Sequence, residues 1–139
     1  MGLGYRYICK NCQKETEIFE GIGMLDFEQE LTNINSEYNL LKRYTNGINK
    51  DELKKHLIDK DFILNEGYGR KIFQCPKCND ISNEFYFELE SILKDGKNFI
   101  SEYKCKKCKE KLNIIDSIEK CPYCGGKFDL EKTIFINLD

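Results

Sequence analysis

The chain has very little histidine, one residue in 139, and no run approaching 18 uncharged apolar residues. The first scarcity removes histidine-based catalysis and every His-x-x-x-His metal motif; His56, set among lysines on an expected helix, is read as a surface residue. The second removes any membrane-spanning helix. Met-Gly-Leu-Gly-Tyr-Arg at the start lacks an apolar signal-peptide core, and Arg6 stands where a myristoylation motif needs Ser or Thr. Also missing are a nucleophile elbow, a phosphate-binding glycine loop and a low-complexity linker, so an enzyme is not expected. Charge of one sign is lacking as well: the formal net charge of −2 gives no global pull towards nucleic acid or acidic membranes.

What the chain does have is cysteine. All eight fall in four Cys-x-x-Cys pairs: Cys9/Cys12, Cys75/Cys78, Cys105/Cys108 and Cys121/Cys124. In a reducing cytoplasm such pairs are read as metal ligands before disulfides. Tetrahedral zinc takes four thiolates, so four pairs supply two complete sites and leave no position open for water or substrate. Closed sites of this kind are structural. Iron in a rubredoxin-like site and redox dithiols are the alternatives that spacing leaves open. Lys10, Lys77, Lys104, Lys106, Lys107 and Lys109 lie in or beside the pairs, where they offset thiolate charge.

The gaps between pairs suggest a grouping. Residues 109–120 form a twelve-residue loop between the last two pairs, the usual compact arrangement. Cys105, Cys108, Cys121 and Cys124 are therefore expected around one ion, and the first four cysteines around the other. A cross-braced pairing, in which the first and third pairs share an ion, stays open.

A coarse pass along the chain gives an α+β protein of two units. Residues 1–93 are expected as a zinc ribbon with a helical insertion at about 25–62, and residues 94–139 as a second ribbon. Gly4–Ile8 reads as a strand into Cys9, Glu15–Phe19 as its return, and Lys71–Phe73 as a strand into Cys75. Phe27, Leu31, Ile34, Tyr38 and Leu41 have helical spacing, with Asp26 and Gln29 as a cap and Asn46-Gly47 as a stop. A second helix with Leu53 and Leu57 on one face starts at Asn49, where Glu52 completes a capping-box-like pair. The helices would form a lid over the ribbon's apolar side, or a hairpin that engages a partner. Further on, Phe85–Glu90 reads as a strand, Asp95-Gly96 as a turn, and Phe99 to Tyr103 as the return. Leu112–Ile115 and Lys132–Ile136 read as short strands, with the unit boundary between residues 92 and 98.

Cys105 to Phe128 resembles the zinc-ribbon class, and Cys121-Pro122-Tyr123-Cys124-Gly125 resembles a rubredoxin-type knuckle. The whole chain is loosely similar to small bacterial proteins with tandem zinc ribbons, through Gly-Tyr-Arg-Tyr-Ile-Cys-Lys-Asn-Cys near the start and Gly-Ile-Gly-Met after it. The abundance of Asn, Ile and Lys also fits an AT-rich bacterial genome. That resemblance implies two bound zinc ions but transfers no single activity.

Two functions fit. One is a protein-interaction or scaffold module, motivated by the acidic first unit, the insertion and the run Phe85-Tyr86-Phe87, which would otherwise be core. The other is a nucleic-acid module. Residues 94–132 hold ten lysines against seven acidic residues. Lys104, Lys106, Lys107, Lys109 and Lys111 crowd one pair, with Tyr103 and Tyr123 as stacking surfaces. Charge compensation around the thiolates explains the same lysines more simply, because that segment's excess is only +3.

Overall fold

A computed structural model describes residues 2–23, 26–116, 118, 121–126 and 133–137. Among these residues it is a small α+β structure with three short helices and two antiparallel sheets. Strands β1 (Gly2–Ile8) and β2 (Glu15–Gly21) form a hairpin whose tip carries Cys9 and Cys12. Tyr7 and Ile18 point inward, while Arg6 lies between Glu15 and Glu17 on the solvent side at 3.7 and 3.2 Å.

The helical insertion departs from expectation. In place of one long helix from Asp26 there are two single turns, α1 (Glu28–Leu31) and α2 (Leu40–Arg43). The reason lies in the polar residues between them, whose side chains take over the backbone's hydrogen bonds. Asn33 Oδ1 accepts from the Asn35 N–H at 3.0 Å and Ser36 Oγ from the Tyr38 N–H at 3.1 Å. Asn39 Nδ2 donates to the carbonyls of Ile34 and Ser36, and Asn39 Oδ1 caps α2 by accepting from Lys42 N–H at 3.0 Å. Leu31 and Leu40 are buried, but Phe27 is 60% exposed. Asp26 does not cap a helix. It accepts from Gly23 N–H at 2.7 Å and is ion-paired with Arg43 at 2.7 Å, in a largely buried setting.

Helix α3 (Lys50–Asp59) follows as read, with Leu53 and Leu57 buried, although the Asn49 side chain makes no capping bond. His56 is not a surface residue. Its ring is half-buried, held by Asp61 at 3.0 Å and set edge-on to Phe62 and Phe99.

After α3 come β3 (Phe62–Leu64), β4 (Gly69–Gln74), β5 (Ile81–Tyr86), β6 (Glu88–Ser91) and β7 (Phe99–Ile100). Strand β8 (Asn113–Ile115) and strand β9 (Thr133–Asn137) complete the set; Lys132, expected as the start of the last strand, lies outside the described residues. The large sheet runs β5-β4-β2-β1-β9, with β8 also paired to β4, and the small one runs β3-β6-β7. The expected strand over Phe85–Glu90 breaks at Phe87, where the chain passes from one sheet to the other. Phe85, Phe87 and Leu89 all point into the core and Tyr86 is half-buried, so the side chains of this aromatic run mostly pack the interior. The stretch expected as a unit boundary, residues 92–98, is the connection of the β6–β7 hairpin.

The main core gathers the insertion (Leu31, Leu40, Tyr44, Leu53, Leu57) with Phe73, Phe87, Phe99, Tyr103 and the cysteines Cys75 and Cys105. Tyr44 sits at its centre, edge-on to Phe87, Phe99 and Tyr103 with ring centres 5.1–5.8 Å away. The helices therefore cover the second cysteine pair's side of the sheet. A smaller cluster of Tyr7, Ile18, Ile72 and Ile118 backs Cys9 and Cys121. Among the described residues no helix is long and apolar enough to cross a membrane.

Candidate metal centres

Each Cys-x-x-Cys pair sits in the same turn. The residue after the second cysteine takes a left-handed φ: Gln13 at 63°, Asn79 at 63°, Lys109 at 63° and Gly125 at 71°. In that conformation its N–H donates to the first cysteine's carbonyl, at 2.7, 3.0, 3.0 and 2.9 Å respectively. The first cysteine's own N–H donates one residue further on, to Lys14, Asp80, Glu110 and Gly126, at 2.8–3.1 Å. Both bonds close the turn and leave neighbouring N–H groups free to aim at sulfur. Only one of the four left-handed positions is glycine, although glycine is the residue that adopts it without cost.

The turns combine in a way the spacing did not suggest. Cys9, Cys12, Cys121 and Cys124 form one group, and Cys75, Cys78, Cys105 and Cys108 the other. The sequential grouping is thus incorrect, and so is the cross-braced alternative: the second centre is nested inside the first. Strand pairing supplies the reason. The strand after the third turn, β8, pairs with β4, which leads into Cys75. The strand after the fourth turn, β9, pairs with β1, which leads into Cys9. Within the stretch between the last two turns, Asn113–Ile115 is committed to pairing with β4, so this stretch does not simply close a loop around one ion.

The sulfur geometry suits a tetrahedral ion. In the outer group Cys9 Sγ and Cys124 Sγ are 3.7 Å apart, and Cys12 and Cys121 are 3.5 Å apart. In the inner group the Cys75–Cys108, Cys78–Cys105 and Cys78–Cys108 separations are 3.1, 3.6 and 3.9 Å. Four thiolates at about 2.3 Å from a central ion stand about 3.8 Å from one another. These sulfur atoms represent thiolate donors, and short S···S contacts between them are what a shared cation would bridge. With four cysteines in each group, every position of a tetrahedron has a protein ligand.

Hydrogen bonds divide the thiols within each group. N–H groups of Cys108 and Lys107 converge on Cys105 and bring it down to about 7. The Gly126 N–H, with the Asn11 amide at 3.6 Å, brings Cys124 down to about 6. Cys108, facing Cys75, is pushed up to about 12. Against the lowering effect of the Lys14 N–H, burial and the contact with Cys121 push Cys12 up to about 11. A cation entering either group must displace the protons held by the raised thiols. The two groups also differ in cover: Cys124 is exposed, while the inner cysteines are buried or half-buried.

All eight sequence-nominated ligands are brought together. The five lysines beside the third turn are exposed, and two are engaged by acids: Lys107 by Asp80 at 3.8 Å and Lys111 by Glu102 at 3.2 Å. Tyr103 is fully buried, with its hydroxyl donating to the Phe85 carbonyl at 2.6 Å, so it offers no stacking surface. Tyr123 is 57% exposed, with Lys14 Nζ 4.7 Å from its ring centre. Asn11 is the contributor the sequence reading missed; an amide inside a Cys-x-x-Cys pair is the signal that could have found it. Compared with protein-family models, with curated proteins and with solved structures, the chain finds no match in any of the three.

Proposed function

We propose that the chain is a two-zinc protein built as one zinc ribbon nested in another, and that it acts as a non-enzymatic protein-interaction or scaffold module in a reducing cytoplasm. The observation that carries the metal reading is the pair of four-cysteine groups, in each of which all four sulfurs lie within 4.8 Å of one another. Each group, with the hairpin beside it and the strand that follows its second turn, has the plan of a three-stranded ribbon. Filled four-cysteine sites hold a fold together and leave no exchangeable position for chemistry. Closed four-cysteine sites are the usual structural zinc arrangement, and zinc separates from iron by eye. Purified protein should carry two zinc ions per chain by elemental analysis and be colourless. A red protein, or one ion per chain, would sink this reading.

Nucleic-acid binding is the weaker of the two roles, because Lys107 and Lys111 have acidic partners and Tyr103 is core. Lys106→Glu with Lys107→Glu should leave anisotropy with DNA and RNA probes at its background value at low salt. A salt-dependent signal that those changes abolish would establish the nucleic-acid role instead.

A further inference from the structure

The small sheet ends in an edge whose backbone groups can be counted. Strand β3 pairs with β6 in the register Phe62↔Ser91, Ile63↔Glu90 and Leu64↔Leu89. Asn65 N–H donates to Glu88 O at 3.0 Å, and Ile92 N–H donates to Asp61 O at 3.0 Å. Antiparallel ladders alternate, so these two bonds make Ile63 the residue whose N–H and C=O face β6. The N–H and C=O of Phe62 and Leu64 then face away from it, and among the described residues nothing pairs with them. Leu64 is 6% exposed and belongs to the main core.

Phe62, Ile63 and Leu64 line a groove of about 530 Å³. Glu28 and Thr32, at and just beyond helix α1, and Lys60 line it as well. Ile63, 54% exposed, adds an apolar contact. We propose that this groove receives an extended peptide segment of a partner protein, added as a fourth strand beside β3. The inference rests on the interaction-module reading above and names its docking site. Donors and acceptors on alternate residues of an edge match only a partner with the same repeat, and that partner is another extended backbone. A second copy of this chain fits less well. Paired edge to edge, each copy would bring its own helix α1 to the contact, and a lone peptide brings none.

The test uses the intact, metal-loaded chain. A displayed library of random ten-residue peptides is selected on it, and the best binder is synthesised. Binding should slow amide hydrogen exchange at Phe62 and Leu64 at least tenfold. N-methylating the peptide at every second residue should lower affinity at least tenfold, whereas N-methylating the intervening residues should leave it unchanged. Leu64→Pro removes an N–H that has no partner among the described residues and should weaken binding to the same extent. The methylated peptides keep the test decisive if that variant misfolds. Failure to select any peptide overturns the proposal, as does binding that leaves the Phe62 and Leu64 amides exchanging at their free rates. Concentration-dependent protection of those amides without peptide also overturns it, in favour of a second copy. Two zinc ions per chain and an unchanged fold in those cases would leave the metal reading standing.

Discussion

The hydroxyl of Tyr44 joins the insertion to the strand region through more hydrogen bonds than any spacing rule would suggest. It accepts from Glu102 N–H at 2.8 Å and from Ile48 N–H at 3.0 Å, and its proton can go to either residue's carbonyl at 2.7 Å. The ring is fully buried, which raises the hydroxyl's pKa and keeps it a neutral donor. Gly47 lies against that ring, and a Cβ there would clash with it. Tyr44→Phe keeps the ring and all of its edge-on contacts but strands the Glu102 N–H. We expect a loss of about 1–3 kcal/mol in denaturant unfolding of the metal-loaded protein, the cost of a part-buried donor without a partner. An unchanged midpoint would mean that water takes the hydroxyl's place. At this scale the sequence was readable where chemistry is scarce. Eight cysteines can only be ligands or disulfides, whereas one tyrosine among 8 announces nothing, and neither does the Asp26–Arg43 pair.

Among the elements, the four Cys-x-x-Cys turns were legible because two thiolates on one ion demand that spacing, whatever surrounds them. The strands leading into Cys9 and Cys75 were legible too, since alternation and the position of the turn agree there. The long helix was not. Its apolar period was real, but the Thr32, Asn33, Ser36 and Asn39 side chains offered the backbone local partners, and these outweighed a periodic stripe with little else behind it. The turns themselves invite a substitution series. Lys109 holds a left-handed φ of 63° with a full side chain, at a cost that glycine would relieve and a β-branched residue would deepen. Lys109→Val should weaken the inner centre by about 1–2 kcal/mol. Lys109→Gly should be neutral or slightly stabilising, because relief of the turn is offset by a more flexible unfolded chain. Chelator competition at fixed metal reads both. Equal behaviour of the two variants would show that the turn's angle is not what limits metal affinity.

Over the whole molecule, the nesting of the centres is the feature that spacing could not convey, because β4–β8 and β1–β9 pairing settles it over long separations. The inner group joins turns 27 residues apart (Cys78 to Cys105), the outer group turns 109 apart (Cys12 to Cys121). Loop closure from the unfolded chain thus favours the inner centre by about 1 kcal/mol. Burial favours it further, since its cysteines belong to the main aromatic core and the outer ones to a small cluster. That small cluster includes Ile72, which β4 carries three residues before Cys75. The outer centre accordingly leans on a strand that the inner centre holds, and the reverse support is slight. Cys9→Ser should therefore leave one tightly held metal ion per chain and an intact near-ultraviolet signal from the Tyr44 cluster. Cys75→Ser should lose both ions and that signal together. Native mass spectrometry with circular dichroism distinguishes the two. If Cys75→Ser kept one ion at full affinity, the centres would be independent, and the nested sheet would merely place them side by side.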